Sequence, residues 1–200
     1  MELYLNATSP YARLVRIVLL EKGLMDAVTL KWCDPWADDV DLLKANPAGR
    51  IPALVTEEGT TLSESVLIAV YLDSVSPNKP MLPAASLGDV LHLAGSGQNL
   101  MDAAFTTVIA RKHYGKGIDD SELGQRRSRA IQRLLKQLNS ELGEKQLAST
   151  INLGDIAIAV ALDYLVFRLP EVKWQEKYPQ LKEWHAGVTA QESFHQTAFC

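Results

Sequence analysis

The chain has 200 residues, of which 47% are hydrophobic and 22% are charged, and its formal net charge at pH 7 is −4. This length allows one large domain or two small ones, each with its own apolar core. The negative charge argues against a nucleic-acid partner, because proteins that bind nucleic acids concentrate positive charge to neutralise phosphates. No apolar run reaches the ~18 residues of a membrane span, so no membrane partner is expected either.

The first residues and the two cysteines bear on where the protein works. Residues 1–5 have neither the basic start nor the long apolar stretch of a signal peptide, so we expect a cytoplasmic protein. Cys33 and Cys200 lie far apart and no Cys-x-x-Cys motif occurs, which argues against a disulfide framework and against dithiol redox chemistry. We interpret both cysteines as incidental, and we predict no metal site.

Strand and helix patterns alternate over residues 1–78. Short apolar runs predict strands, and apolar residues at helical spacing predict helices that end at turn residues such as Gly23. The predicted strands cover residues 3–5, 28–32, 51–56 and 60–62, and the predicted helices cover 11–22, 39–45 and 63–75. The last two strands are separated by a short turn containing Gly59, which indicates a hairpin. We therefore expect a small α/β domain over residues 1–78.

Beyond residue 78 the strand patterns disappear. Residues 79–86 include Pro80 and Pro83 and are predicted to form a linker. Long helical patterns follow, and they predict helices over residues 87–113, 122–142, 153–168 and 175–186. Asn152 and Asp155 have the spacing of a capping box at the start of the third of these helices, which is a structural device. Residues 87–200 are therefore predicted to form an all-helical domain.

The first segment that indicates chemistry is Thr8-Ser9-Pro10-Tyr11, between the first strand and the first helix. Pro10 is typical of a first helical turn, so Ser9 is the expected N-cap. An anion at that point, a thiolate for instance, is stabilised by unpaired N–H groups and by the positive end of the helix. The alternative is that Ser9 only caps the helix.

The second segment, residues 46–54, contains Ile51-Pro52 at the start of an apolar strand. A cis bond there would leave the backbone N–H and C=O of Ile51 free to hydrogen-bond an extended peptide, as an added strand does. Only about 5–6% of X–Pro bonds are cis, so the sequence by itself leaves both isomers open.

The third segment is Glu64-Ser65, at the start of the third helix. A helix N-terminus with a serine hydroxyl accepts a carboxylate, and the Glu64 carboxylate can bind an ammonium group. The pair therefore suits a free amino acid head group, which carries both charges on one carbon. The alternative is that Glu64 only stabilises the positive end of the helix.

Together these segments resemble the cytosolic glutathione S-transferase family over essentially the whole chain. The resemblance implies a thioredoxin-like N-terminal domain followed by an all-α helical bundle. Ser9 matches the catalytic residue at the end of strand one, in a Ser-Pro-aromatic form similar to bacterial members with an active-site serine. The implied glutathione-binding residues are Ser9, Arg50, Ile51, Pro52, Glu64 and Ser65. The capping box of the core helix is matched by residues 152–155, although the family more often has Ser or Thr where this chain has Asn152.

The resemblance also implies an activity. Glutathione is the expected co-substrate, and its thiolate, held beside Ser9, would attack a small apolar electrophile, as in detoxification. The electrophile would lie between the two domains, and the candidate lining residues are Tyr11, Asn99, Phe105 and Ile109. A homodimer is expected from the family and because two-fold pairs are the commonest oligomers.

Two other functions fit the same sequence. A glutathione-dependent disulfide or peroxide reductase needs no protein cysteine if two glutathione molecules bind. A binding or regulatory protein could retain the fold without turnover, although such a protein would be expected to have lost Ser9 or the Glu64-Ser65 pair, and both are intact here. No feature of the sequence identifies the electrophile, because such pockets are built from adaptable apolar residues.

Overall fold

The computed structural model describes residues 1–76, 79–143 and 150–200, which divide into two compact units. The first unit comprises Met1–Ser86 together with Glu192–Cys200, and the second comprises Leu87–Gln191. None of the helices in the described ranges is both long and apolar enough to cross a membrane. The α/β first unit and the helical second unit confirm the predicted fold class.

The first unit is built on a four-stranded sheet with the strand order β2-β1-β3-β4. β1 pairs in parallel with β2 and antiparallel with β3, which in turn pairs antiparallel with β4. The predicted hairpin is confirmed by the last of these pairings. Within residues 1–76, the strands and α-helices in chain order are β1 (Glu2–Leu5), α1 (Pro10–Glu21), β2 (Thr29–Trp32), α2 (Val40–Ala45), β3 (Ala53–Val55), β4 (Thr61–Ser63) and α3 (Ser65–Val75).

Helix α1 is the buried helix of this unit. Its apolar side chains at Leu14, Ile17 and Val18 are completely buried. The helix begins as the sequence predicts, with Ser9 as N-cap and Pro10 in the first turn. It is followed by Gly23 at φ +65°, a left-handed conformation that glycine adopts without steric cost.

The structure draws the boundary of the first unit later than residue 78, because residues 79–86 are anchored to it. The Asp73 carboxylate accepts hydrogen bonds from the backbone N–H groups of Met81 (2.9 Å) and Leu82 (3.2 Å). The Nζ of Lys22, whose side chain is fully buried, lies 2.7 Å from the same carboxylate and 3.1 Å from the Lys79 carbonyl oxygen. The expected linker is thereby attached to α1 and α3.

The last nine residues also differ from the expected organisation. The sequence analysis assigns residues 87–200 to one helical domain, whereas the structure groups Glu192–Cys200 with the first unit. This segment contains the short helix α9 (Glu192–Gln196), which packs against α1 and buries Phe194 and Thr197. Contacts between elements this far apart in sequence leave no local pattern, so the sequence does not indicate that these nine residues belong to the first unit.

The second unit contains the helices α4 (Leu87–Tyr114), α5 (Glu122–Leu142), α6 (Leu153–Arg168), α7 (Trp174–Lys177) and α8 (Pro179–Thr189). The first three agree with the predicted helices to within one residue. The single helix predicted over 175–186 is wrong. It divides at Tyr178, because Pro179 has no N–H to continue the hydrogen-bond ladder and begins a new helix.

Helix α6 is buried over nearly its whole surface and packs closely on α4. Its N-terminus carries the predicted capping box. The Asn152 side-chain oxygen accepts from the Asp155 N–H at 3.1 Å, and the Asp155 carboxylate accepts from the Asn152 N–H at 3.0 Å. Two backbone donors that burial would otherwise leave unpaired are satisfied in this way.

Candidate functional site

The first unit contains a small cleft of about 80 Å³ beside the start of α3. Five of the six predicted glutathione-binding residues line it, and the sixth, Ser9, does not. The complete lining is Tyr11, Asn46, Ala48, Arg50, Ile51, Pro52, Ser63, Glu64 and Ser65. The structure therefore brings the second and third sequence segments together, and the first segment reaches the cleft through Tyr11.

The loop before β3 presents backbone groups at this cleft. The Ile51–Pro52 peptide bond is cis. Within the described residues, neither the N–H nor the C=O of Ile51 has a hydrogen-bond partner. A backbone with both groups unpaired can accept an extended peptide as an added strand.

The loop is held by Asn46, whose role the sequence analysis did not identify. Its side-chain amide donates to the Arg50 carbonyl oxygen at 2.8 Å, and its side-chain oxygen accepts from the Ala48 N–H at 3.2 Å. Asn46 is itself buried. An asparagine before Pro and Gly is a recognised turn signal, so this role was open to detection from the sequence.

The start of α3 places a buried hydroxyl in the cleft. Ser65 is the first residue of α3, and only 2% of its surface is exposed. Its Oγ has no hydrogen-bond partner within the described part of the chain. A buried hydroxyl without a partner costs free energy, so it calls for an explanation such as a ligand that supplies the missing hydrogen bond.

Glu64, which precedes Ser65, has an unusual backbone. Its φ of +70° lies in the left-handed region that residues other than glycine rarely adopt. Such conformations cluster at binding sites, where the surrounding structure maintains them. The Glu64 Oε1 lies 3.2 Å from an Arg50 guanidinium nitrogen, but both side chains are more than half exposed. An exposed pair of this kind contributes little, so the carboxylate remains available to a ligand.

The turn from β1 to α1 positions the Ser9 hydroxyl. Its Oγ accepts the Ala12 N–H at 3.2 Å, while the Asn6 side-chain oxygen accepts the N–H groups of Thr8 (3.2 Å) and Ser9 (2.9 Å). Within the described residues, no acceptor takes the Ser9 hydroxyl proton. One hydrogen-bond donor at the N-terminus of α1 is therefore unused. The sequence analysis missed Asn6, which fixes this turn.

Cys33 directly follows β2, and its environment is unfavourable for a nucleophile. Burial, and then the nearby Asp39 carboxylate, raise the pKa of the Cys33 thiol despite its contact with the Leu5 carbonyl oxygen. A raised pKa leaves less of the reactive thiolate at neutral pH. This agrees with the interpretation of Cys33 as incidental.

The four predicted electrophile-binding residues are divided between the two units. Tyr11 lines the cleft of the first unit, and Asn99, Phe105 and Ile109 lie on α4 of the second. Phe105 and Ile109 are one turn apart on the same side of α4, whereas Asn99 lies about 120° around the helix from Phe105. Their joint role stays a prediction.

Comparisons with known proteins show which family this chain belongs to. Residues 8–75 match the model of the glutathione S-transferase N-terminal domain, and residues 122–187 match that of the glutathione S-transferase C-terminal domain. The uncharacterised GST-like protein YibF of Escherichia coli K12 is 33% identical over 202 residues, covering 98% of each chain. A stringent starvation protein A homologue of Histophilus somni is 32% identical over 142 residues, which are 71% of this chain and 59% of that protein.

Solved structures give the same result. The crystal structure of a glutathione transferase family member from Pseudomonas fluorescens Pf-5, with bound glutathione, has a TM-score of 0.88 and 30% sequence identity, and the match covers 98% of each chain. Both units are matched by family models, and the likeness to YibF and to the Pseudomonas structure extends over nearly the whole length. The chain belongs to the glutathione S-transferase family.

Proposed function

We propose that this protein is a glutathione transferase, which binds glutathione in the cleft beside α3 and activates its thiol for attack on a small apolar electrophile. The observation that carries the proposal is the Ser65 hydroxyl, which lines the cleft, is buried and has no partner within the described residues. A ligand carboxylate supplies the acceptor that this hydroxyl lacks. The relative from Pseudomonas fluorescens was crystallised with glutathione, which supports the same ligand.

The cleft suits each part of the tripeptide. The γ-glutamyl carboxylate would accept from the Ser65 Oγ at the N-terminus of α3, and the ammonium group would bind the Glu64 carboxylate. The cysteinyl unit would pair with the free backbone groups of Ile51 as an added strand. Pro52 shapes this edge, and Arg50 would lie beside the tripeptide.

The thiol would then be held at the N-terminus of α1. A free thiol has a pKa near ~8.5, and a helix N-terminus can lower it by a unit or more. The unused Ser9 hydroxyl proton would donate to the thiolate and favour it further. The thiol proton passes to solvent. The thiolate donates an electron pair to an electrophilic carbon of the substrate, and a leaving group departs with the electrons of the broken bond. In an epoxide, the ring oxygen takes these electrons, stays bonded to the neighbouring carbon and receives a proton from solvent.

The test is calorimetry with glutathione on the Ser65→Ala variant. We expect binding to weaken by about 1–3 kcal/mol, because the ligand carboxylate loses a buried donor. Glu64→Ala should weaken binding by a similar ~1–3 kcal/mol if the ammonium contact is desolvated. Ser74→Ala is the matched control, because Ser74 is on the same helix but bonds to the Tyr71 carbonyl oxygen, and it should bind as the wild type does.

A stability measurement on the same variants separates ligand binding from folding. Because the Ser65 hydroxyl has no hydrogen-bond partner among residues 1–76, 79–143 and 150–200, its removal should not lower the free energy of unfolding. Unchanged glutathione affinity in Ser65→Ala would contradict the proposed binding mode.

A panel of substrates then distinguishes the activities. Turnover of aryl halides or epoxides with glutathione supports the transferase. Turnover confined to hydroperoxides or mixed disulfides would instead establish the reductase.

A non-catalytic binding protein is the second candidate. One relative, the Histophilus somni stringent starvation protein A homologue, is named for a starvation response and not for an enzymatic activity, and its similarity covers 71% of this chain. This candidate predicts glutathione binding, or none, without turnover of any substrate in the panel. The intact cleft and the unused donor of Ser9 favour the transferase.

A further inference from the structure

The first turn of α1 contains a buried arginine with an unusual set of partners. Arg13 is only 4% exposed, and a buried guanidinium requires hydrogen-bond acceptors. Its Nη2 donates to the Phe194 carbonyl oxygen at 3.3 Å, and its Nε donates to the Thr197 Oγ1 at 3.4 Å. The guanidinium carbon also lies 4.6 Å from the centre of the Phe199 ring, within the range of a cation–π contact.

All these partners belong to residues 192–200, which we call the clasp. A second arginine of α1 holds the same segment, since the Arg16 Nη2 donates to the Gln196 carbonyl oxygen at 3.2 Å. Two α1 cations thus bind carbonyl groups in the last turn of α9, where no intrahelical donors remain. Inside the clasp, the Thr197 Oγ1 donates to the Ser193 carbonyl oxygen at 2.7 Å, which fixes the orientation of the threonine.

Arg13 also connects this segment to Ser9. The Arg13 backbone N–H donates to the Ser9 carbonyl oxygen at 3.0 Å, which is the first backbone hydrogen bond of α1. The neighbouring Ala12 N–H donates to the Ser9 Oγ. Arg13 therefore bonds to the clasp through its side chain and to the N-cap residue Ser9 through its backbone N–H.

Loss of the contacts between the Arg13 side chain and the clasp should affect the contact between the Arg13 backbone and Ser9. Without the clasp, the Arg13 guanidinium would lose its hydrogen bonds to Phe194 and Thr197 and would be drawn toward water. Such a movement would disturb the turn that carries Ser9. The Arg13 charge also lies in the first turn of α1, where a cation adds to the positive potential that favours a thiolate.

We propose that Arg13 is a positioning residue for thiol activation, and that the clasp acts through it to hold the Ser9 hydroxyl in place. This inference rests on the proposed transferase function. It assigns residues 192–200 a part in the reaction, although they lie more than 180 residues from Ser9 in the sequence.

The test uses two conservative variants of the full chain. Thr197→Val removes the acceptor of the Arg13 Nε, and Arg13→Lys keeps the charge but loses the planar set of donors. Thr189→Val is the matched control, because Thr189 is in α8 and its hydroxyl donates to the carbonyl oxygen of His185, one helical turn earlier. Three quantities are measured: amide hydrogen exchange at Ala12 and Arg13 in the free protein, the pKa of bound glutathione by thiolate absorbance, and kcat and KM.

We expect exchange at both amides to accelerate about tenfold in Thr197→Val and Arg13→Lys. The bound thiol pKa should rise, and kcat at neutral pH should fall roughly 10- to 100-fold, because a small misplacement of Ser9 weakens its donation. The KM for glutathione should stay within about twofold, since the cleft beside α3 is unchanged. Thr189→Val should match the wild type in all three measurements.

Two outcomes would overturn the inference. Unchanged exchange in both variants would show that the clasp does not hold the first turn. Faster exchange with an unchanged thiol pKa and unchanged kcat would show that it has a purely structural role. If the wild type bound no glutathione, the proposed function would fall, and the exchange data alone would decide whether the clasp orders the turn.

Discussion

Ser9 contributes two different groups to the beginning of α1. Its Oγ lone pair and its carbonyl oxygen accept the Ala12 and Arg13 N–H groups, which is the work of an N-cap. Its hydroxyl proton has no acceptor in the described part of the chain and is available to a ligand. The two interpretations that the sequence leaves open, a helix cap and a thiolate donor, are therefore compatible in one side chain.

Ser9→Ala should raise the pKa of bound glutathione and lower turnover at neutral pH. The N–H groups of the helix remain, so activity should fall roughly 10–1000-fold rather than vanish, by analogy with the loss of one oxyanion donor. Loss of the cap should also cost about 1 kcal/mol of stability. Glutathione affinity should change little, because the cleft lining does not include Ser9.

The neighbouring hydroxyls provide the comparison for Ser9. Thr8→Val and Tyr11→Phe each remove one hydroxyl from the same turn, and thiolate absorbance of bound glutathione is titrated against pH in all three variants. If either of them shifts the titration and Ser9→Ala does not, the catalytic assignment of Ser9 is wrong.

At the scale of the elements, Gly97 is a point where α4 packs closely on α6. A Cβ added at Gly97 would lie 2.5 Å from the Ala157 carbonyl carbon, which is closer than real side chains come. Two residues earlier, a Cβ at Gly95 would meet no heavy atom within 4 Å. Of these two α4 glycines, packing therefore requires Gly97 and does not require Gly95.

This difference predicts that a glycine-to-alanine substitution has opposite effects on stability at the two positions. Gly97→Ala should lower the free energy of unfolding by about 1–3 kcal/mol or more, because backbone rather than a flexible side chain must move. Gly95→Ala should raise it by about 0.5–1 kcal/mol, because alanine loses less conformational entropy in a helix. Urea denaturation measures the free energy of unfolding of both variants. Equal stability of the two would show that α4 and α6 do not pack as described.

The elements also show how far the sequence predicts the structure. Periodicity located α4, α5 and α6 to within one residue, because each helix covers many turns of apolar spacing. It failed at Pro179, where a helical pattern continues across a residue that cannot maintain the ladder.

The sequence predicts the candidate site only in part, because some of its features depend on contacts between distant residues. Local motifs single out Glu64-Ser65 and Ile51-Pro52, and in the structure these segments line one cleft. The cis isomer and the lack of a Ser65 hydroxyl partner among the described residues depend on tertiary surroundings, which local sequence does not reveal. The contact of Arg13 with Thr197 joins residues 184 positions apart, so no local pattern could indicate it.

For the molecule as a whole, the ion pair of Lys22 and Asp73 links stability to pH. Burial alone would raise the pKa of the Asp73 carboxyl, but hydrogen bonds from Lys22 and from the Met81 and Leu82 N–H groups outweigh it, and the pKa lies below its ordinary value of 3.8. A carboxyl with a depressed pKa contributes stability above the unfolded pKa and loses it as the pH falls through the folded value. This contribution is therefore complete at neutral pH and declines below about pH 4.

Asp73→Asn should remove that contribution and deprive the buried Lys22 ammonium of the Asp73 charge, at a cost of about 3–5 kcal/mol at pH 7. Below about pH 4, the difference from the wild type should narrow, because the wild-type carboxyl becomes protonated too. Chemical unfolding at several pH values measures both effects. The exposed Asp89→Asn variant serves as control, and a pH-independent gap between Asp73→Asn and the wild type would contradict the linkage.

The predicted homodimer rests on apolar surface that each unit leaves exposed. On α3, Leu67 is 61% exposed and Val70 is 38% exposed, and three-residue spacing places them on the same side of the helix. On α4, Leu87 and Leu91 are also exposed, four residues apart. Exposed apolar side chains grouped on one helix side mark interaction surfaces, and we expect the dimer interface to include α3, α4 and α5. Light scattering at micromolar concentration should therefore give twice the 22.1 kDa chain mass.

Leu67→Glu should shift this mass toward that of the monomer, because a charge would be buried in the interface. Val40 on α2 is similarly exposed, and Val40→Glu should leave the mass unchanged. A wild-type mass near 22.1 kDa would show that the chain is a monomer and that these residues face solvent.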